Sequence, residues 1–341
     1  MRLVDKYPEV TPDALIAALV PPPRFSSVSF DSYLPDPSQP TQMAAVAGLH
    51  AFVRAGEAPP PKRWRRRRPA PPEARPGVYL DGGFGVGKTH LLASLFHATP
   101  GPAVFGTFVE YTHLAGALGF HSTADALALQ TLVCIDEFEL DDPGDTVLIS
   151  TLLSKLVDKG VRLAATSNTL PDRLGEGRFA AEDFLREIQG LSAHFDVFRI
   201  DGEDYRHRGL PAPPAPLTDD QIRRSLESAG PHAAHDAFDD LLDHLEVIHP
   251  SRFGALVEGI DTLYLSGVHP VSDQAKALRL VVLADRLYDR DVSLVSSGIA
   301  LDELFTPDLL KGGYRKKYYR AVSRLVALAR EGAGLAQHGM A

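Results

Sequence analysis

Gly82-Gly83-Phe84-Gly85-Val86-Gly87-Lys88-Thr89 places glycines, a lysine and a hydroxyl at the spacing G-x-x-x-x-G-K-[ST]. Between a strand and a helix, such a loop can wrap a chain of phosphates with its backbone N–H groups, while the helix dipole beginning near Gly87 favours the anion. Lys88 is then expected to reach the β and γ phosphates. The Thr89 hydroxyl is expected to ligate magnesium, and His90 to complete the nucleotide-contacting run. An ordinary glycine-rich turn is the competing explanation, and the flanking strand and helix patterns weigh against it.

Asp136-Glu137 follows directly on the apolar run Leu132-Val133-Cys134-Ile135, so both carboxylates are expected at the carboxyl edge of a sheet, beside the phosphate loop. Asp136 would hold magnesium through water, and Glu137 would orient and deprotonate the attacking water. A glutamate there favours an ATPase over a small-molecule kinase, because kinases exclude water from the γ-phosphate. One strand further on, Thr166-Ser167-Asn168 brings a polar Asn168 to the position from which a lytic water could be held. As a turn residue before Leu170-Pro171, Asn168 would have a purely structural use. The chemistry implied is hydrolysis of ATP with Mg2+.

These groups need a parallel sheet to bring them together. From Gly77 onward short apolar runs alternate with longer amphipathic ones, the rhythm of βα units. Strands are predicted at Val78–Asp81, Ala103–Phe108, Leu132–Asp136, Arg162–Thr166 and Val197–Asp201, with helices at Lys88–His97, Tyr111–Leu118, Asp145–Asp158 and Ala181–Ser192 between them. Upstream, Thr11 with Pro12 caps a short helix, a second helix covers Thr41–Ala55, and Gly56–Pro76 is crowded with Pro and Arg. After Pro211–Pro216 the pattern is mainly helical: Asp219–Ala229, Ala237–Val247, Ser272–Arg290 and Lys316–Glu331. Val292–Val295 is placed as one strand returning to the sheet. The expected division is 1–76, an N-terminal extension with a basic loop; 77–210, the nucleotide core; and 211–341, a helical C-terminal region.

Composition sets outer limits. The 341 residues, 44% hydrophobic and 23% charged, suffice for one large or two medium globular units. A net charge of −9 gives the whole molecule no positive field, so any contact with nucleic acid or acidic lipid must come from a local patch. Lys62-Arg63-Trp64-Arg65-Arg66-Arg67-Arg68 is such a patch, with Arg65–Arg68 its densest part, although a basic loop answering the acidic bulk explains it equally well. The single cysteine, Cys134, excludes an intramolecular disulfide framework, and no run approaches the roughly 20 apolar residues of a membrane span. A cytoplasmic protein is expected, with at most peripheral membrane contact.

With the phosphate loop, the acidic pair and Asn168 in order, the chain resembles the AAA+ ATPases. It is most similar to the ZapE cell-division ATPase family and its mitochondrial AFG1-like relatives. The likeness rests on Val133–Phe138, on Ala164–Asn168, on Asp204-Tyr205-Arg206-His207-Arg208, on Leu283–Asp289 and on Ser323-Arg324-Leu325. It implies an α/β fold, an AAA+ P-loop NTPase core with a parallel sheet flanked by helices, plus a mainly helical C-terminal lid. It further implies a nucleotide-dependent ring and remodelling of a protein partner in the bacterial division machinery. The family usually carries a Gly-Leu-Gln-Arg segment whose arginine is a candidate to act in trans on a neighbouring subunit's nucleotide; here the matching stretch, Leu174–Phe179, departs from that pattern, and Arg178 and Arg186 are the nearest candidates. Arg279 resembles a family arginine that senses the γ-phosphate from the lid. Gly87–Leu92 is also similar to the helicase-loader and replication-initiator branch, which leaves a nucleic-acid-associated ATPase as the alternative.

Overall fold

The computed structural model describes residues 1–57, 75–83, 85–138, 143–171, 174, 185–202 and 213–338. Its chain forms two compact units, Pro12–Arg208 and a second made of Met1–Thr11 with Gly209–Ala341. The sequence division at 76 and 210 differs at the amino end, where the first eleven residues join the carboxy-terminal unit.

In the unit Pro12–Arg208 the elements run α1 (Pro12–Ala17), α2 (Pro40–Glu57), β1 (Gly77–Gly82), α3 (Lys88–Ala98), β2 (Ala103–Thr107), α4 (Phe108–Leu118), α5 (Phe120–Leu127), β3 (Leu132–Asp136), α6 (Pro143–Asp158), β4 (Arg162–Ser167), α7 (Leu185–Ser192) and β5 (Phe195–Ile200). The five strands make one parallel sheet in the order β2-β3-β4-β1-β5. Every residue of β3 is buried because the strand is central and covered on both faces, as its unbroken apolar run requires. On one face Tyr79, Val133, Ile135 and Leu163 pack with α4, α6 and α7; on the other Val78, Leu80, Cys134 and Ala164 pack with α2 and α3.

Insertion of β4 between β1 and β3 is what the site depends on. It pairs Leu80 with Thr166 and Asp81 with Ser167, while Ile135 pairs with Ala165, so three strand ends stop side by side at one sheet edge. The turn from β2 into α4 is fixed by a reciprocal cap. Glu110 N donates to Thr107 Oγ1 at 3.3 Å and Thr107 N donates to Glu110 Oε2 at 2.7 Å.

The second unit contains α8 (Asp219–Glu227), β6 (Ala233–Ala237), α9 (Phe238–Val247), α10 (Phe253–Leu256), β7 (Thr262–Val268), α11 (Gln274–Asp289), β8 (Ser293–Gly298), α12 (Pro307–Lys311) and α13 (Arg315–His338). It is mainly helical, as expected, but its helices are laid on a three-stranded parallel sheet of its own, β6-β7-β8. This corrects the placing of Val292–Val295: the segment is a strand, yet it pairs with β7 and does not return to the five-stranded sheet. Two further strands, β6 and β7, fall between the predicted helices, in stretches where the sequence pattern signals no strand. A core of Leu241, Leu245, Leu263, Leu265, Leu280, Leu294 and Leu325 fills one face of this sheet. The amino-terminal residues belong to it. Leu3 is fully buried, Leu3 N and Val4 N donate to the Asp236 carboxylate at 2.8 and 3.3 Å, and Lys6 Nζ donates to the carbonyls of Leu256 and Glu258. Among the described residues no helix is long and apolar enough to cross a membrane.

Candidate nucleotide site

The loop leaving β1 is shaped by two steric demands. Gly87 has φ +87°, where a side chain is strained, and a Cβ there would also stand 2.6 Å from the Tyr33 ring. At Gly82 a Cβ would stand 2.4 Å from the Ile200 carbonyl, so the first turn of the loop admits no side chain. Tyr33 Oη donates to the Val86 carbonyl at 3.0 Å, bracing the back of the loop from the amino-terminal segment. Gln42, buried on α2, ties the same segment down by accepting from Asp36 N and donating to the Asp201 carbonyl, each at 2.8 Å.

From this loop two side chains reach the other strand ends. Lys88 Nζ donates to the carbonyls of Gly82 and Gly83 and to Asn168 Oδ1, at 2.8, 2.5 and 2.8 Å. Thr89 Oγ1 donates to the Asp136 carboxylate at 3.0 and 3.2 Å. The groups singled out on three separate strand-loop junctions therefore converge within hydrogen-bonding distance. That convergence follows from the strand order, since β4 delivers Asn168 between the loop after β1 and the acidic pair after β3.

Thr166 on β4 holds the acidic pair, a use that the sequence reading passed over. Its hydroxyl donates to Asp136 Oδ1 and accepts from Glu137 N at 3.0 Å, so one Oγ fixes both residues. The Thr166 carbonyl accepts from Phe138 N at 2.7 Å, closing the turn. Glu137 leaves the strand at φ +54°, unusual for a residue with a side chain and sustained by these contacts. The available signal was the hydroxyl at the end of β4, level with Leu80, which a burial pattern alone treats as filling. Burial and then the neighbouring Glu137 push the Asp136 carboxyl above the usual carboxylate range, against the hydroxyls of Thr166 and Thr89 and the Lys88 ammonium.

Other expected site residues are distributed differently. His90 Nε2 lies 2.9 Å from Ser32 Oγ and 3.3 Å from the Ser29 carbonyl, so its ring engages the amino-terminal segment. Arg279 is in the other unit, where its Nη1 donates to the carbonyls of Leu245 and Ile248 at 2.6 and 2.9 Å and caps the end of α9. Arg186 is exposed on α7. Phe84, Arg178, the Lys62–Arg68 run and Asp204–Arg208 lie outside the described residues. In the carboxy-terminal unit Arg324 Nη1 and Arg320 Nη2 donate to Asp285, which joins two of the segments that carry the family resemblance, Leu283–Asp289 and Ser323–Leu325.

The AFG1-like ATPase family matches residues 10–228 and 216–333, nearly the whole chain. The chain belongs to the AFG1-like ATPase family. As an AFG1-like ATPase it is an AAA+ protein that binds and hydrolyses ATP. It is 28% identical over 312 residues to the cell division protein ZapE of Escherichia coli strain K12, covering 79% of this chain and 82% of ZapE. Over 167 residues it is 26% identical to lactation elevated protein 1 homolog B of Danio rerio, covering 42% of this chain and 32% of that protein. Among solved structures, DnaI aligns with a TM-score of 0.40 at 19% identity over 54% of this chain and 98% of DnaI. AMPPCP-bound DnaA from Aquifex aeolicus aligns with a TM-score of 0.39 at 12% identity, over 60% of this chain and 61% of DnaA.

Proposed function

We propose that this AFG1-like ATPase cleaves ATP at the edge where β1, β3 and β4 end, and that it couples the cycle to self-association and to remodelling of a protein partner of the division machinery. The observation that carries the reading is the junction of Lys88, Thr89, Asp136, Thr166 and Asn168 through hydrogen bonds from three strand ends. The donor set suits magnesium, a hard cation that prefers hydroxyl, carboxylate and water oxygens, with Thr89 and Asp136 already 3.0 Å apart. The loop suits phosphates: a Cβ at Gly83 would meet nothing within 4 Å, so the backbone is open on that side. When bound, magnesium would neutralise charge on the β and γ oxygens.

Lys88 exchanges its carbonyl partners for phosphate oxygens as ATP enters. Glu137 takes a proton from the attacking water as its oxygen bonds to the γ-phosphorus and the bond to the β-bridging oxygen breaks, releasing ADP and phosphate. Asn168, freed from Lys88, orients that water. Arg178 or Arg186 of a neighbouring subunit supplies charge to the γ-phosphate, which ties hydrolysis to assembly. The division role is supported by the similarity to ZapE along most of both chains.

Phosphate release by Glu137→Gln tests the base. Turnover is expected to fall about a thousandfold while ATP binding persists; unchanged turnover removes Glu137 from the role. Assembly is tested by the mass of the particle with ATP, with ADP and with neither. A mass that does not depend on nucleotide rejects the coupling.

A further inference from the structure

Lys311-Gly312-Gly313-Tyr314-Arg315-Lys316-Lys317-Tyr318-Tyr319-Arg320 holds five cations and no acid, in a chain whose net charge is −9. Structure sorts this run into two sides. Inward, Tyr318 is buried against Phe305 at 4.8 Å between ring centroids, and Arg320 is neutralised by Asp285. Outward, Lys311, Arg315, Lys316 and Tyr319 are exposed, and the three cations make no ion pair or side-chain hydrogen bond among the described residues.

Some other cations of the unit are paired with acids. Arg2 pairs with Asp240, Arg223 with Asp220, and Lys276 with Asp243 and Glu246. The position of Arg315 and Lys316 runs against helix stability, since they occupy the first turn of α13, which has no acid, where the dipole disfavours positive charge. Like-signed charge gathered at the positive end of a helix attracts anions. Arg315 and Tyr319 are four residues apart on one helix face, so a cation and an exposed ring stand side by side. Lys317 lies 5.3 Å over the Tyr314 ring, extending the alternation of charge and aromatic surface.

From this arrangement we infer that the start of α13, with Lys311, is a binding surface for single-stranded nucleic acid. Phosphates are held by Lys311, Arg315 and Lys316, and a base stacks on Tyr319. An acidic peptide would use the charges and leave the exposed ring unused, whereas alternating phosphates and bases engage both. The surface uses none of the residues placed at the ATP site and does not depend on the reading of the division role.

The test is anisotropy of a fluorescein-labelled oligo-dT 20-mer with the full chain between 50 and 200 mM salt. The triple substitution Lys311→Gln, Arg315→Gln, Lys316→Gln is expected to weaken binding about tenfold or more at the low-salt end and to reduce the slope of log K against log salt by about 2. Tyr319→Ala is expected to weaken binding about tenfold at an unchanged slope, because stacking releases no counterions. Basal phosphate release and Tm hold in both variants. Unchanged affinity and slope in the triple variant overturn the inference. So does an effect of the triple substitution seen with phosphatidylserine vesicles or a poly-glutamate peptide and not with oligo-dT.

Discussion

Asp136 and Asp285 are carboxylates set into parallel α/β units, and their surroundings treat them in opposite ways. Asp136 is buried and met by two hydroxyls, with Glu137 adjacent, so its carboxyl is driven upward. Burial acts in the same direction on Asp285, but Arg320, Arg324 and Arg286 overcome it and hold that carboxyl below the usual range. Under the proposed function, a carboxylate met by hydroxyls and by no arginine would be kept ready for a cation that arrives with substrate. One whose charge is matched by fixed arginines joins α11 to α13.

Substitution at each acid should separate the two uses. Asp136→Asn is expected to lower ATP turnover at least about a hundredfold, with Tm held or raised at pH 7. The sign follows from the raised carboxyl: the charged form is disfavoured by folding, so any gain in Tm over the wild type is present at neutral pH and disappears below about pH 4. A fall in Tm at pH 7 comparable to that of Asp285→Asn would erase the contrast.

Asp285→Asn is expected to lower stability by about 3 kcal/mol, leaving two arginines without their counter-charge, while phosphate release at a temperature where the variant is folded is retained. Here the carboxyl is depressed, so the stability that it contributes is present above the unfolded value near pH 4 and is lost as pH falls through the folded one. Chemical denaturation at pH 7 and pH 3 measures this. A difference from wild type that is the same at both pH values would count against the ion cluster.

Thr166 sharpens the comparison from inside the site. Thr166→Val keeps the shape and removes the hydroxyl that serves both Asp136 and Glu137. Turnover is expected to fall about tenfold with little change in ATP affinity, and Thr166→Ser to restore it. Loss of ATP affinity in parallel with turnover, or failure of the serine variant to recover activity, would make Thr166 a packing residue only.

Much of the site was legible because its chemistry uses residue types at fixed spacing. The loop from Gly82 to Thr89, the pair Asp136-Glu137 and Asn168 stand on the expected strand ends, and β3 spans Leu132–Asp136 as predicted. Their contacts were not legible, because spacing along a chain does not give strand order: only the insertion of β4 between β1 and β3 explains why Lys88 meets Asn168. In the second unit β6 reads Ala-Ala-His-Asp-Ala, with no β-branched or aromatic residue, and its pairing is imposed by tertiary context. β7 has a short apolar run, Leu263-Tyr264-Leu265, too brief to distinguish from a buried helical turn by period alone. Resemblance to a family arginine that senses the γ-phosphate singles out Arg279, while its position facing the open carbonyls of α9 depends on a helix that is distant in sequence.

The amino-terminal strap has a consequence for synthesis. Its hydrogen bonds from Met1, Leu3, Val4 and Lys6 reach partners 232 to 252 residues further along. These residues are synthesised well before their partners and find their seat late, after the whole Pro12–Arg208 unit has been translated. Leu3 stays wet until then, so the carboxy-terminal unit closes in a post-translational step whose rate is set by the search of a tethered peptide over a long loop.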